Sequence, residues 1–422
     1  MSPGVVILVV VIALVWIIWL WWASRRHTSE SSPLVVEENI PAFQVVALGL
    51  QGSGKTLLLA SMYHRLQTPA GQSYFLTASH EDVLQLNQWF SQMADTESAN
   101  SWPPGTTKGE SRHFSFTAKT RTAEGFRPIL ELKYLEYAGE LLTEPQAPGS
   151  TVQEDLFAHI RQADALLGII DGNHIRQHLD GVPTGLMRLE QTLDALVPAM
   201  IEATCPVSFV ITKWDLLTGL HPDESTRLEL VHDLLTSNDH FRSLVKIHGS
   251  GRVVRLIPVS AVGSGFARVD STGRIVKVPH GTLHPSRVDV PLSAVVPDLF
   301  DQVEARLDKE ARSAFYEEVR QRSRMTPMET ITSMGTFVGK AAGQAVFAAF
   351  GTSVTLTGNA LVGLFLDSHR RARQQSQDRL DRELTEAEQR IEDLREARRR
   401  VIEDMRRKVA VLEDQLPHSR LS

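Results

Sequence analysis

Eight consecutive residues, Gly49-Leu50-Gln51-Gly52-Ser53-Gly54-Lys55-Thr56, carry the spacing G-x-x-x-x-G-K-[ST]. A turn this rich in glycine can aim successive backbone N–H groups at an anion. Lys55 adds a cation for the outer phosphates of a bound chain, and the Thr56 hydroxyl can ligate a divalent metal. The flanks suit that use. Residues 43–48 are an apolar run that reads as a buried strand, and residues 57–60 read as the start of a helix whose positive end faces the same anion. The chemistry implied is capture of a nucleoside triphosphate, with Gly49, Gln51, Gly52, Ser53, Gly54, Lys55 and Thr56 around its phosphates.

Four later segments read as apolar strands ending in polar residues. Residues 129–137 run into Glu136-Tyr137-Ala138-Gly139-Glu140, and residues 163–171 read ADALLGIID. Residues 207–215 end in Thr212-Lys213-Trp214-Asp215, and residues 253–262 contain Ser260-Ala261. Strands that alternate with helical stretches predict an α/β fold, with a mostly parallel sheet covered by helices on both faces. Ligand groups then gather at the carboxyl ends of the strands.

These motifs, in this order, resemble the GTPase branch of the phosphate-loop superfamily, the TRAFAC class of small GTPases and translation factors. The resemblance spans about residues 43–306 and implies GTP or GDP with Mg²⁺ as ligands. It assigns Asp215 to the ring N1–H and exocyclic amine of guanine, with Thr212 and Lys213 beside it. Ser260-Ala261 would offer a backbone N–H to the guanine carbonyl. Glu136 stands where the family carries the aspartate that holds the metal, and Gly139 would sense the γ-phosphate. Glu140 occupies the place of the residue that positions the attacking water, so with Lys55 it completes the implied catalytic set. A first-switch threonine completes the metal shell. Thr106 and Thr107 are the well-placed candidates, and Thr107 joins Thr56 and Glu136 as the expected metal ligands. The implied activity is GTP hydrolysis, slow without a partner. Between Lys55 and Gly139 the chain is longer than a minimal small GTPase, and residues 81–94 read as an added helix.

Outside the expected GTPase domain, residues 43–325, the reading is of tethers. Residues 4–22, GVVILVVVIALVWIIWLWW, are long and apolar enough for one transmembrane helix, and Arg25-Arg26 after the tryptophan-rich end place the C-terminal side in the cytosol. Residues 23–42 form a short tether, so a single-pass protein with a cytosolic domain is expected. That layout is similar to the beta subunit of the signal recognition particle receptor. Residues 326–367 are an apolar helical segment rich in small residues, open to burial against the domain or to membrane insertion. Residues 368–416 have a heptad-like seam, with Arg398 and Lys408 interrupting it, and are expected to form a coiled coil.

A net charge of −6 over 422 residues gives no general attraction to nucleic acid, and acids alternate with the bases of the C-terminal tail. Cys205, the only cysteine, excludes a disulfide framework and reads as packing. The expected role is a membrane-held switch whose switch loops and coiled coil meet protein partners or a second copy. A dynamin-like membrane-remodelling GTPase and a non-hydrolysing scaffold remain as rival readings.

Overall fold

The computed structural model describes residues 40–98, 100–106, 111–137, 141, 151–250, 252–300, 385–386, 389–390 and 392–422. The expected anchor at 4–22, residues 23–39 of the expected tether and the segment 326–367 lie outside the described residues, while the tether's last residue, Ala42, already belongs to the first strand. Among the described residues no helix is long and apolar enough to cross a membrane.

The centre is a seven-stranded sheet. Its strands are β1 (Ala42–Leu48), β2 (Tyr74–Ala78), β3 (Ser111–Thr122), β4 (Gly125–Tyr137), β5 (Ala165–Asp171), β6 (Val207–Thr212) and β7 (Arg255–Pro258). They lie in the order β2-β3-β4-β1-β5-β6-β7. β4, β1, β5, β6 and β7 run parallel, whereas β3 is antiparallel to both β4 and β2. The sequence explains the split. β5 (ALLGIID) and β6 (VSFVIT) are buried at every position, as strands covered on both faces must be. β3 instead alternates, with Phe114, Phe116, Ala118 and Thr120 buried between more exposed neighbours.

The helices are α1 (Lys55–Leu66), α2 (His80–Ala94), α3 (Thr151–Gln162), α4 (Gly172–Leu179), α5 (Pro183–Ile201), α6 (Glu224–Ser237) and α7 (Asp239–Gly249). Two more, α8 over residues 290–300 and α9 over residues 392–415, complete the described set. Side-chain caps start several of them: Ser79 accepts from the Asp82 N–H at α2, and Asn238 accepts from the Phe241 N–H at α7. A short hairpin, β8 (Ala267–Val269) and β9 (Ile275–Lys277), follows the last sheet strand. Neither β2 nor this hairpin was anticipated. Cys205 is buried, and burial pushes its thiol up to about 11, which leaves it a packing residue.

The described C-terminal residues change the reading of the tail. Residues 392–422 form one compact unit with residues 39–310, and Val401, Met405, Leu412 and Leu416 belong to the same hydrophobic core as the sheet. The described part of the seam, from Val401 to Leu416, is therefore covered by its own chain; most of residues 368–391 lie outside the described residues. Lys408, one of the two charges that interrupt the seam, has partners here as well. Lys408 lies 2.7 Å from Asp289 and over the Tyr74 ring, and Asp404 accepts from the N–H and hydroxyl of Ser73 at 3.2 and 3.0 Å. Beyond α9, Leu421 donates to the Val254 carbonyl at 2.9 Å and Arg420 bridges Arg255 antiparallel, so the chain end covers the edge of β7.

Met405→Ala is expected to lower the stability of the whole sheet-containing unit by about 2–5 kcal/mol, the usual cost of emptying a core position. Urea unfolding followed by tryptophan fluorescence measures this. An unchanged midpoint would mean that α9 does not share the core.

Candidate functional site

The phosphate loop leaves the end of β1 and closes on itself through the Ser53 N–H and the Leu50 carbonyl at 3.2 Å. Gly49 is forced by space. A β-carbon there would lie 2.8 Å from the Ile169 carbonyl oxygen of β5. Gly54 caps α1 at φ 88°, a left-handed conformation, and supplies no side-chain acceptor. The first N–H groups of α1, with the positive end of its dipole, therefore remain directed at the loop, where an anion can take them. Lys55 is buried and donates to the loop's own carbonyls, Gly49 at 2.7 Å and Leu50 at 3.1 Å.

At the end of β4 stands Glu136, 1% exposed. Its Oε1 accepts from the Thr56 hydroxyl at 2.9 Å and, in a very short hydrogen bond, from the Thr106 hydroxyl. Among the described residues its buried Oε2 has no hydrogen-bond partner. The glutamate's extra methylene relative to aspartate does not take it out of reach of Thr56. One carboxylate and two hydroxyls are a hard-oxygen set that fits Mg²⁺, and the unpartnered Oε2 is a position such an ion would satisfy. Of the two threonines considered for the first switch, the structure brings Thr106 to this corner; Thr107, Gly139 and Glu140 lie outside the described residues. Arg112 of β3, in register with Glu136, places its guanidinium 3.3 Å from the Thr56 hydroxyl. It also donates to the Pro104 and Gly105 carbonyls and lies over the Trp89 ring.

The opposite end of the cleft is built from β6 and the turn after β7. The Thr212 hydroxyl donates to the Ser53 carbonyl at 2.5 Å. Lys213, at φ 53°, extends its ammonium to the Gly52 carbonyl at 2.7 Å and to Asp171 at 2.6 Å. Asp215 is 8% exposed and accepts from the Ser260 hydroxyl at 2.5 Å, which in turn accepts from the Gly263 N–H. Burial raises the Asp215 carboxyl above the usual aspartate range, and the Ser260 hydrogen bond opposes that rise. The Ala261 carbonyl accepts from Ser61 of α1 at 2.8 Å, which pins the turn beside the loop.

A single cleft runs between the two ends, lined by Gln51, Gly52, Gly54, Lys55 and Thr56 on one side and Lys213, Asp215 and Ala261 on the other. Gly49 and Ser53 support the loop rather than lining the cleft, and Ser260 acts through Asp215. Sequence reading missed Asp171 and Arg112. Asp171 could have been found, because it is the last residue of a buried strand at the ligand-bearing edge. Arg112 carried no such signal: it is one of many basic residues, and only the β3–β4 register places it here.

Residues 44–251 match the model of a family described as Double-GTPase 2. A comparison with curated proteins gave no match. The matched span includes the phosphate loop, Glu136 and the Thr212–Asp215 stretch, and ends before Ser260. Together with the mostly parallel sheet, the match supports a P-loop GTPase domain with GTP-binding, switch-like function.

Glu136→Gln separates stability from metal binding. An amide keeps an acceptor for Thr56 and Thr106 but carries no charge, so the thermal midpoint of the nucleotide-free protein is expected to hold or rise. Tightening of nucleotide by Mg²⁺ is expected to disappear. A fluorescent-nucleotide titration with and without Mg²⁺ checks the second outcome, and retained tightening would remove Glu136 from the metal set.

Proposed function

We propose that this domain binds GTP with Mg²⁺ and hydrolyses it, and that the chain works as a nucleotide-dependent switch at the cytosolic face of a membrane. The observation that carries the reading is the shared cleft: a phosphate cradle and a buried carboxylate acceptor stand at its two ends, joined by Lys213.

The roles follow from position. The N-terminus of α1 and the loop amides receive the β-phosphate, and Lys55 gives up its loop carbonyls to reach the outer phosphates. Thr56, Glu136 and Thr106 would hold Mg²⁺, which neutralises charge on the phosphates when bound. Asp215 accepts from the ring N1–H and the amine of guanine, a donor pair adenine lacks, while the stem of Lys213 lies against the ring. Glu140 is the group proposed to hold the water for in-line attack on the γ-phosphorus. The anchor at residues 4–22 and recruitment of protein partners through the switch loops belong to the same proposal. A dynamin-like machine remains the rival reading; what it would have to use for self-association is residues 368–391 and 326–367, because Val401–Leu416 of α9 pack inside their own unit.

Nucleotide competition on the full-length protein tests the base assignment. GTP is expected to displace a bound probe about 100-fold better than ATP, roughly 2.7 kcal/mol, and Asp215→Ala to abolish that preference. Equal displacement by the two nucleotides in the wild type would end the guanine reading. Single-turnover hydrolysis no faster than in Lys55→Ala would leave binding without catalysis.

A pH series adds a second check. Only the ionised Asp215 accepts both guanine donors, and its raised pKa means that GTP preference fails on acidification at a higher pH than an ordinary aspartate would set. Ser260 pulls that pKa down, so Ser260→Ala is expected to move the loss to still higher pH. A shift in the other direction would contradict the assignment.

A further inference from the structure

Lys277, the last residue of β9, is 1% exposed. Its ammonium spends its three donors on three backbone carbonyls: Gln92 at 2.7 Å, Asp95 at 2.6 Å and Ser101 at 2.5 Å. It also lies 5.0 Å from the centre of the Trp102 ring. Trp102 donates its indole N–H to the Ile275 carbonyl of the same hairpin at 3.1 Å and meets Phe266 edge-on. One buried cation therefore ties together three pieces of chain that are far apart in sequence: the end of α2, the loop over residues 100–106, and the β8–β9 hairpin.

A hairpin that only needed to pack would carry an apolar residue here, because burying an ammonium is costly unless its hydrogen bonds are met. Burial does draw the Lys277 pKa below the usual lysine range, with the Asp95 charge opposing. What the lysine holds explains the cost. Four residues after Trp102 comes Thr106, whose hydroxyl is bonded to Glu136, and Arg112 fixes the carbonyls of Pro104 and Gly105 in between. On its other side the hairpin borders the cleft: Ala267 and Ile275 line it together with Trp102 and Ala261.

We propose that Lys277 is a positioning residue for the metal corner. Through loop 100–106 it holds the Thr106 hydroxyl beside Glu136, and the hairpin that carries it makes one wall of the purine end. Base recognition and metal coordination are thus joined by a rigid segment inside the domain. This inference rests on the proposed binding of GTP with Mg²⁺.

The test is the ratio of nucleotide affinities measured with Mg²⁺ and with EDTA, using a fluorescent GTP analogue and the full-length chain. Lys277→Met keeps length and removes the charge. It is expected to reduce Mg²⁺-dependent tightening about tenfold or more, as loss of a support behind a metal ligand commonly does, with the loss falling on the Mg²⁺ value rather than the EDTA value. Thr106→Val is expected to lose the same tightening, and the Lys277→Met/Thr106→Val double variant to lose no more than Thr106→Val alone, since both act through one hydroxyl. Trp102→Phe, which removes the indole N–H bond and leaves a smaller ring beside Lys277, is expected to lower the same ratio by less and covers the case in which Lys277→Met does not fold. Wild-type tightening in the single variants, or losses that multiply in the double, would overturn the proposal. A wild type with no Mg²⁺-dependent tightening would overturn the underlying metal reading, and this inference with it.

Discussion

Everything in the cleft depends on how the end of β6 is fixed to the phosphate loop. Thr212 donates to the Ser53 carbonyl and Lys213 to the Gly52 carbonyl, so two consecutive residues of one strand end hold two consecutive residues of the loop. The left-handed conformation of Lys213 allows this, because it turns the chain sharply enough for Asp215, two residues later, to point back toward the cleft. Asp171 holds the other side of the same ammonium. The distance between phosphate cradle and buried carboxylate is then set by backbone and by short side-chain bonds, not by flexible loops. A site meant to measure the length of a nucleotide requires that rigidity.

The same edge of the sheet concentrates polarity that the protein does not satisfy by itself. α1 begins without a side-chain cap, whereas α2, α6 and α7 begin with Ser79, Asp223 and Asn238 as acceptors. Glu136, in a fully buried position, has one carboxylate oxygen without a donor among the described residues. Asp215 is buried with a raised pKa and a single hydroxyl donor. Each is a modest liability for stability, and all of them face one cleft. Away from this edge, Arg287 pairs with Glu224 and Arg255 with Glu413.

How much of this was legible in the sequence depends on the range of the interactions. β1, β4, β5, β6 and β7 announce themselves by apolar runs ending in polar residues, and α2 by its own periodicity, because burial on both faces or on one stripe leaves a local trace. β2 is five residues long and acquires its meaning only from pairing with β3. The C-terminal seam shows a different limit. A heptad-like pattern states that a helix face is buried but not what buries it, and here the hydrophobic core of the sheet unit takes in Val401, Met405 and Leu412. Lys408, which weakens a coiled coil, makes sense once Asp289 is opposite. In the site, Lys55 and Thr56 were readable from spacing, and Asp215 from the family resemblance. Asp171, Arg112 and Lys277 were not, since each works through a partner brought near only by the sheet order or by the hairpin.

The balance of charge in the cleft bears on the proposed divalent ion. A triphosphate seated on the loop brings anionic oxygens toward Thr56, and the Glu136 carboxylate already sits 2.9 Å from that hydroxyl. Two unit charges of like sign about 4 Å apart repel by about 4 kcal/mol at an effective dielectric near 20. Lys55 and Arg112 offset part of this, but Arg112 is committed to the carbonyls of Pro104 and Gly105, and Lys213 to Asp171 and Gly52. Glu136 therefore opposes a bare triphosphate and favours one that arrives with its own cation. On the proposed reading the acid would favour the metal complex, and the hydroxyls of Thr56 and Thr106, already gathered on one carboxylate oxygen, would leave the second oxygen for it.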